Sequence, residues 1–296
     1  MKKTPMIKPE ITWGAKTWVM GIINLTPDSF SGDGVMAVGD PLQQALAQAE
    51  EFIRDGAHIL DLGAVSSRPG AQPVPAEEEL KRLLPVLREI RSQGLNALIS
   101  VDTWKADVAE ACLEAGADWI NDIWGLRADA RLAQVIARHQ ATVVLMHNRS
   151  RSNAVRDLGV LGSSYSGAEY ADFIPEVMAD LKASIRIALD AGIPENKIIL
   201  DPGIGFGKTV SQNLALINHL DEFKALGYPL LIGPSRKSFI GQVLDLPVEE
   251  REEGTAAAVA VGIARGADII RVHNVKMMAR VAHMTDAITR KPLQGD

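Results

Sequence analysis

The chain has 296 residues, of which 47% are hydrophobic and 23% are charged, a composition typical of a folded globular protein. Its formal net charge of −6 excludes a general nucleic-acid-binding surface, because such a surface needs a basic excess to displace counterions from phosphates. The single cysteine, Cys112, excludes an intramolecular disulfide framework and a multi-cysteine zinc site. The first ten residues lack the apolar core of a signal peptide, so we expect one cytoplasmic domain over residues 1–296.

The first unit of the chain has the pattern of a strand, a polar loop and a helix. Thr17–Ile23 is apolar and β-branched, which predicts a strand, and the polar segment Asn24–Gly39 follows it. Asp40 and Pro41 suit the cap and the first position of a helix, because an Asp oxygen accepts free N–H groups and Pro lacks one. Gly56 is typical of the residue that ends such a helix.

A Gly-Ala pair directly before a predicted strand occurs three times, at Gly56-Ala57, Gly116-Ala117 and Gly266-Ala267. We interpret each as a junction between successive β/α units. The other predicted strands are Ala97–Val101, Ala141–Met146, Lys197–Leu200 and Pro229–Ile232. The other predicted helices are Glu77–Ser92, Lys105–Ala115, Ala128–Arg138, Ala168–Ala191, Ser211–Leu220, Gly254–Arg265 and Val275–Thr289.

Eight strands alternating with eight helices favour an α/β fold with a single parallel (β/α)8 TIM barrel, its core at about 17–290. An open, doubly wound sheet would produce the same alternation, and the count of eight strands is what favours the barrel. Pro85 should kink its predicted helix or mark a late start, because proline removes a donor and crowds the preceding turn. Arg149–Gly167 is expected to be the longest connection without regular structure.

Nearly every predicted strand ends in a polar side chain. In a closed barrel the carboxyl ends of all strands meet on one face, and in such barrels that face carries the active site. Each of these residues could alone be a helix cap or a strand end, but the set as a whole predicts an enzyme. The residues are Asn24, Asp61, Asp102, Asn121, His147, Asp201, Ser235 and Arg271.

Two other chemistries are disfavoured by the residues themselves. Asp201–Thr209 ends in Gly-Lys-Thr like a nucleotide-binding loop, but Pro202 stands where that loop needs glycine. The dinucleotide-binding fingerprint needs glycine where Lys208 stands. The six His residues never have the one-turn spacing of a helical zinc pair, which argues against a zinc hydrolase.

Taken together, the strand-end segments resemble the dihydropteroate synthase family over almost the whole chain, from Val19 to about Val281. The agreement extends to eight segments in the same order, which makes a chance match negligible. They are Met20–Ser31, Ser66–Gly70, Ser100–Thr103, Asn121–Ile123, Leu145–His147, Asp201–Lys208, Ser235–Ser238 and Arg271–His273.

The resemblance implies a transferase of folate biosynthesis that joins 6-hydroxymethyl-7,8-dihydropterin pyrophosphate to p-aminobenzoate. It implies catalytic roles for Lys237, Asp102 and Asp201. A pterin presents a ring edge with clustered donors and acceptors, so a selective pocket needs carboxylates and amides facing it. The implied pterin-binding residues are Asp102, Asn121, Ile123, Met146, Asp201, Lys237 and Arg271.

The resemblance also implies a pocket for p-aminobenzoate and a group of residues for the leaving pyrophosphate. The first consists of Phe30, Ser67, Pro69, Phe206, Lys237 and Ser238, and the second of Asn24, Ser67, Arg68, Arg271 and His273. Mg²⁺ is the implied cofactor, held by Asn24 with Asp28 as a second candidate, because this ion keeps several waters and needs few protein ligands. Loops at Thr26–Gly34 and Ser66–Ala71 are expected to close over the site and exclude water.

One residue departs from the family pattern. Many members have a glutamate where this chain has Val65, which puts loop positioning and the response to sulfonamides in doubt more than the reaction itself. The alternatives are a pterin-binding methyl transferase acting with a corrinoid protein, a Schiff-base aldolase using Lys237, and a non-catalytic pterin-binding paralogue. Family members are commonly homodimers and are competitively inhibited by sulfonamides, so both properties are expected here.

Overall fold

Ten β-strands are formed in the computed structural model, which describes residues 11–26, 40–66, 74–150, 155–157, 163–165 and 168–290. Eight of them build one parallel sheet, and β6 and β7 form a separate antiparallel pair. The strands are β1 (Trp18–Asn24), β2 (Ile59–Gly63), β3 (Leu98–Asp102), β4 (Trp119–Asp122), β5 (Thr142–Met146), β6 (Val155–Asp157), β7 (Ser163–Tyr165), β8 (Ile198–Asp201), β9 (Leu231–Ile232) and β10 (Ile269–Val272).

The helices in the described part of the chain connect successive strands and cover the outside of the sheet. They are α1 (Pro41–Arg54), α2 (Ala76–Gln93), α3 (Ala106–Glu114), α4 (Leu132–His139), α5 (Phe173–Asp190), α6 (Val210–Asn218), α7 (Leu220–Phe223), α8 (Ser238–Leu244), α9 (Glu252–Ala264) and α10 (Val275–Thr289). As predicted, Asp40 caps α1 by accepting from the Leu42 N–H at 3.1 Å, with Pro41 at the first position.

The sheet closes on itself, which separates the barrel from the open alternative. Its strand order is β8-β5-β4-β3-β2-β1-β10-β9, and the two ends meet through a parallel bridge between Leu200 and Leu230. The Leu200 N–H donates to the Pro229 carbonyl at 2.9 Å across this junction. The predicted (β/α)8 barrel is therefore confirmed, whereas the single-domain assignment of residues 1–296 stays a prediction.

Side chains change from apolar to polar along the inside of the barrel. Because alternate residues of a strand face the same side, Ile59 and Asp61 share one face of β2, and Ile199 and Asp201 share one face of β8. The apolar members near the amino ends of the strands form one buried cluster, with Ile11 and Trp13 packed against it. The polar members are left at the carboxyl ends, where the predicted site lies.

The Gly-Ala junctions each place a polar side chain against the backbone of a neighbouring strand. His58 Nδ1 accepts from the Val19 N–H at 3.1 Å, Asp118 from the Ile99 N–H at 2.8 Å, and Asp268 from the Leu230 N–H at 2.9 Å. Arg91 also pairs with Asp118, and Lys224 pairs with Asp268 at 2.8 Å. The repeated motif therefore satisfies backbone donors at the amino end of the barrel.

Two details of local structure differ from what was expected, while a kink at Pro85 stays a prediction. Pro85 does not mark a late start, because α2 already begins at Ala76 and its buried stripe continues on both sides of the proline. The segment Arg149–Gly167 is not without regular structure, since β6 and β7 pair within it, Val155 opposite Tyr165. Pairing satisfies backbone groups that an irregular loop would leave to solvent.

Several helix boundaries also differ from the predicted ones. Helix α4 begins four residues later than expected, because Asp129 accepts from the Arg131 N–H at 3.0 Å and holds a local turn. Helix α5 begins at Phe173 and not at Ala168. The N–H groups of Ala171 and Asp172, just before the helix, donate to the Glu176 side chain in its first turn. Helices α7 and α8 were not predicted.

No helix among the described residues is both long and apolar enough to cross a membrane.

Candidate active site

Arg271 on β10 is bonded to two aspartates, Asp61 and Asp102, and Asn121 is bonded to the first of them. The Arg271 Nε–H donates to Asp61 Oδ2 at 2.6 Å, and its Nη2 donates to Asp102 Oδ2 at 2.8 Å. Asn121 Nδ2 donates to the same Asp61 oxygen at 3.2 Å. The barrel brings these residues together because β10, β1, β2, β3 and β4 are successive neighbours in the sheet.

The carboxyl group of Asp102 titrates well above its usual range. Burial raises the pKa of Asp102 to about 7, an effect that Arg271 opposes and that nearby Asp61, Glu79 and Asp122 reinforce. Asp102 is consequently poised to change protonation state near neutral pH.

Asp201 and Lys237 form the second half of the cluster. Asp201 is buried, and its Oδ1 accepts from the Gly203 N–H at 2.7 Å. Burial raises the pKa of Asp201, opposed first by Lys237. Burial lowers the pKa of Lys237 to about 7, opposed first by Asp201. The pKa of the acid is thus raised and the pKa of the lysine is lowered, and shifts of this kind are typical of functional sites.

The glycine-rich loop after β8 is held from beneath by Lys208. The buried Lys208 ammonium donates to the Gly203 carbonyl at 2.8 Å, to Phe206 at 3.0 Å and to His147 at 3.4 Å. Asn213 accepts from the Gly205 N–H at 2.6 Å on the other side of the loop. Lys208 thus organises backbone next to Asp201, a role different from gripping a phosphate.

The residues expected to contact p-aminobenzoate lie close together where the structure describes them. The Lys237 Nζ lies 4.3 Å from the centre of the Phe206 ring and donates to the Ile204 carbonyl. Ser238 follows Lys237 directly and begins α8. Gly205 leaves room for the lysine, since a Cβ there would lie 2.3 Å from Lys237 Cδ.

The expected pyrophosphate-binding residues lie at the ends of neighbouring strands. His273 Nδ1 lies 3.0 Å from Ser235 Oγ, while Arg271 faces the acids described above. Asn24 ends β1, beside β2 and β10. Ile123 and Met146, expected to line the pterin slot, are buried at the ends of β4 and β5.

Part of the predicted site lies outside the described residues, including most of the two loops expected to close over it. The site residues concerned are Asp28, Phe30, Ser67, Arg68 and Pro69. Val65, the departure from the family pattern, is half-buried and is the second residue after β2.

His147 directly follows β5, but its side chain belongs to a different set of contacts. Its Nε2 lies 3.1 Å from Asp180 Oδ2 on α5, and burial lowers the pKa of His147 to about 3. The sequence placed Asp61 in the polar strand-end set without a specific role, and the structure puts it in the middle of β2. Lys208 was part of a disfavoured nucleotide motif and of the segment Asp201–Lys208 that carries the resemblance, again without a specific role. Asn213 was missed, because it lies in a helix away from any strand end.

Among the described residues, one group of three acidic or histidine side chains has the spacing of a metal site. Ligand atoms of Glu110, Glu114 and His139 lie within 4.8 Å of one another. They stand on α3 and α4, and Glu110 already pairs with Arg138 at 2.8 Å. This group is remote from the strand-end residues and does not include Asn24.

Comparison with known proteins identifies the family. The model of the pterin binding enzyme family matches residues 20–273. A dihydropteroate synthase of Bacillus subtilis is 50% identical over 281 residues, covering 95% of this chain and 92% of the relative. This chain belongs to the dihydropteroate synthase family.

Solved structures of family members agree with this assignment. Dihydropteroate synthase from Clostridium difficile, solved in the presence of pteroic acid, has a TM-score of 0.85 and 43% identity, covering 95% of this chain and all of that one. The Xanthomonas albilineans dihydropteroate synthase with 4-aminobenzoic acid has a TM-score of 0.83 and 36% identity, covering 94% of each chain. Membership in the dihydropteroate synthase family makes this chain a transferase of folate synthesis, which disfavours the methyl-transfer, aldolase and zinc-hydrolase alternatives.

Proposed function

We propose that this chain condenses 6-hydroxymethyl-7,8-dihydropterin pyrophosphate with p-aminobenzoate, giving 7,8-dihydropteroate and pyrophosphate. The observation that carries the proposal is the convergence of Asp102, Asn121 and Asp201 with Arg271 and Lys237 at one end of the barrel. Carboxylates and amides suit the donors and acceptors of a pterin edge, Lys237 suits its carbonyl, and Arg271 suits the negative charge that develops on the leaving group.

We assign the pterin to the pocket between these side chains. Asp201 and Asn121 would bind the ring edge, Lys237 the ring carbonyl and a ring nitrogen, and Asp102 a further polar group. The buried side chains of Ile123 and Met146 would line the slot. Arg271 would lie against the ring and also reach the pyrophosphate. Because the acids are buried, each hydrogen bond to the ligand replaces fewer water contacts than it would at the surface.

We assign p-aminobenzoate to the surface formed by Phe206, Lys237 and Ser238. The closeness of Lys237 Nζ to the Phe206 ring supports this, since a flat benzoate needs an aromatic wall and a cation for its carboxylate. Phe30, Ser67 and Pro69 would complete the pocket. Sulfonamides, which resemble p-aminobenzoate in shape and charge, would compete for the same surface.

In the proposed mechanism the pyrophosphate leaves first and the arylamine attacks second. The bond between the pterin methylene carbon and the pyrophosphate oxygen breaks, and its electron pair departs with the oxygen. The amine nitrogen of p-aminobenzoate then bonds to that carbon and releases a proton to solvent. Arg271, His273, Asn24, Ser67 and Arg68 would stabilise the leaving group. Asp102 and Asp201 would stabilise the cationic pterin between the two steps, and Lys237 would orient it through its ring carbonyl and ring nitrogen.

The residues at the end of β1 fit a magnesium ion. Gly63 leaves space beside the Asn24 side chain, since even a Cβ built on Gly63 would lie 3.9 Å from Asn24 Oδ1. Oxygen ligands in small number suit Mg²⁺, with Asn24 as the proposed ligand and Asp28 as the second candidate. The bound ion would neutralise charge on the pyrophosphate oxygens.

We also propose a homodimer. In support, α9 and α10 pack against each other and carry exposed apolar side chains on the outside of the barrel, among them Val261, Met284 and Ile288. Exposed apolar groups on adjacent helices are typical of surfaces that associate.

The experiment that tests the reaction is pyrophosphate release from the dihydropterin pyrophosphate with Mg²⁺ and p-aminobenzoate. We expect turnover that depends on the amine and falls by at least about a hundredfold in both Lys237→Ala and Asp201→Ala. An exposed lysine, Lys81→Ala, is the matched control and should retain full turnover. Pterin binding without turnover in the parent protein would contradict the proposal and would make Val65 the first residue to restore to glutamate.

A further inference from the structure

Asp61 lies beneath the proposed pterin site and has no part in the mechanism above. Its side chain is fully buried, and one of its oxygens, Oδ2, accepts from both Arg271 and Asn121. We propose that Asp61 is a positioning residue of the pterin site, which fixes the orientation of the Arg271 guanidinium and of the Asn121 amide. This inference rests on the proposed function, since both partners are residues assigned to the pterin.

The contacts of Arg271 fix the plane of its guanidinium group. Nε and Nη2 lie on one edge of the group, and each donates to a different acid, Asp61 at 2.6 Å and Asp102 at 2.8 Å. With two of five N–H groups engaged in this way, rotation about the last side-chain bond would break both ion pairs. Among the described residues the Nη1 edge is left for an anionic ligand, and the flat face of the group can lie against a ring.

The contact with Asn121 decides which of its amide atoms the ligand meets. An ionised carboxylate only accepts hydrogen bonds, so the nitrogen of the Asn121 amide must face Asp61. The Asn121 oxygen is then the atom available to a ligand N–H. Asp61 would therefore select for a ring edge with a donor at this place.

Asp61 differs from the other buried aspartates in the kind of group that it binds. Asp122, Asp201 and Asp268 each accept from at least one backbone N–H, at 2.5, 2.7 and 2.9 Å in their shortest such bonds. In the described part of the chain, Asp61 is bonded only by the side chains of Arg271 and Asn121. Asp61 therefore acts on the rest of the protein through two side chains, both of which the proposed function assigns to the pterin.

The test compares Asp61→Asn and Asp61→Leu with Asp118→Asn as the matched control. Asp118 has a side chain that is only 8% exposed, and it is paired with an arginine, Arg91, at the opposite end of the barrel. For each protein, steady-state kinetics give kcat and the KM of both substrates. Calorimetry gives the affinity for a dihydropterin ligand without turnover, and urea unfolding gives the stability.

We expect Asp61→Leu to lower kcat/KM for the pterin substrate, and affinity for the dihydropterin, by about ten- to a hundredfold. The KM of p-aminobenzoate should stay within about twofold, because Asp61 does not reach Phe206 or Ser238. Asp61→Asn should lie between parent and Asp61→Leu, since its amide oxygen can still accept but carries no charge. Asp118→Asn should lose stability and keep its affinity for the pterin.

Two results would overturn the inference. One is that both Asp61 variants lose stability as Asp118→Asn does and bind the dihydropterin as the parent does. The other is an equal loss for both substrates, which would indicate general disruption of the barrel. If Asp61→Leu does not fold, Asp61→Asn alone decides between these results. Absence of turnover in the parent would contradict the proposed function, and calorimetry would still test Asp61.

Discussion

At the scale of single residues, the loop after β8 depends on glycines that no other residue can replace. Gly203 has a φ of +75°, and a Cβ there would lie 1.9 Å from the His147 carbonyl oxygen. Because this oxygen belongs to the backbone, a side chain cannot be accommodated by a change of rotamer. The loop would have to move, and with it the N–H that donates to Asp201.

We expect Gly203→Ala to lower kcat/KM by about a hundredfold or more, because displacing Asp201 by a fraction of an ångström misaligns the pterin. Gly94→Ala is the matched control, since Gly94 has a similar φ of +70° but nothing within 4 Å of its Cβ position. The control should lose about 1 kcal/mol of stability from the left-handed backbone and keep its activity. Equal activity in the two variants, measured by steady-state kinetics, would contradict this account.

The pKa values of Asp102 and Lys237 predict a bell-shaped pH profile for the pterin substrate. Below about 7 Asp102 takes up a proton and loses its charge, and above about 7 Lys237 loses its proton. We expect Asp102→Asn to remove the acid limb of kcat/KM and Lys237→Arg to remove the alkaline limb, because arginine stays protonated. Profiles in which both variants keep both limbs would assign the titrations to other groups.

The raised pKa of Asp102 also makes the stability of the protein depend on pH. The pKa of Asp102 is higher in the folded protein than in the unfolded chain, so its contribution to stability is greatest at low pH. Relative to Asp102→Asn, the parent should lose stability as the pH rises from about 4 to about 7. Urea unfolding of both proteins across this range measures the difference.

At the scale of elements, the Gly-Ala junctions support the barrel through the polar residue that follows them. Asp118 and Asp268 each combine a backbone N–H with a cation at buried positions. We expect Asp118→Ala and Asp268→Ala to lower the free energy of unfolding by about 2–4 kcal/mol, because each leaves a buried donor and a cation without their acceptor.

The matched control for these variants is Asp107→Ala. Asp107 pairs with Arg131 at 2.8 Å, but its side chain is 61% exposed, so we expect a loss of less than about 1 kcal/mol. Chemical unfolding followed by circular dichroism measures all three. A loss in the control equal to that of the junction variants would show that burial is not the deciding factor.

At the scale of the whole molecule, the proposed dimer would cover side chains that the barrel leaves exposed. Val261 is 46% exposed on α9 and Ile288 is 71% exposed on α10. We expect Val261→Arg and Ile288→Arg to shift the protein toward the monomer in sedimentation velocity, because an arginine in an apolar interface loses its hydration.

Leu189→Arg is the control for the dimer, since Leu189 is 43% exposed but stands on α5, apart from the α9 and α10 pair. It should leave the sedimentation coefficient unchanged. A parent protein that sediments as a monomer at micromolar concentration would remove the basis for the dimer. A dimer unaffected by either arginine would place the interface on another face.

Much of the fold could be predicted from the sequence because its determinants are local. The alternation of Ile59 with Asp61 and of Ile199 with Asp201 decides which side of each strand is polar, and the Asp40-Pro41 pair marks the start of a helix. Strand-end motifs likewise indicated the family and Asp102, Asn121, Asp201, Lys237 and Arg271 as site residues. These features depend on spacing along the chain and not on how distant segments meet.

Only the tertiary structure decided the contacts made across the barrel. Arg271 pairs with Asp61 across 210 residues and with Asp102 across 169. No local pattern indicates that Arg271, and not the nearby His273, is the partner of these two acids. The same holds for Lys208, whose contacts depend on β5 lying beside β8, and for closure of the sheet at Leu200 and Leu230. Such pairings follow from strand order and register, which are fixed by packing of the whole barrel and not by any one segment.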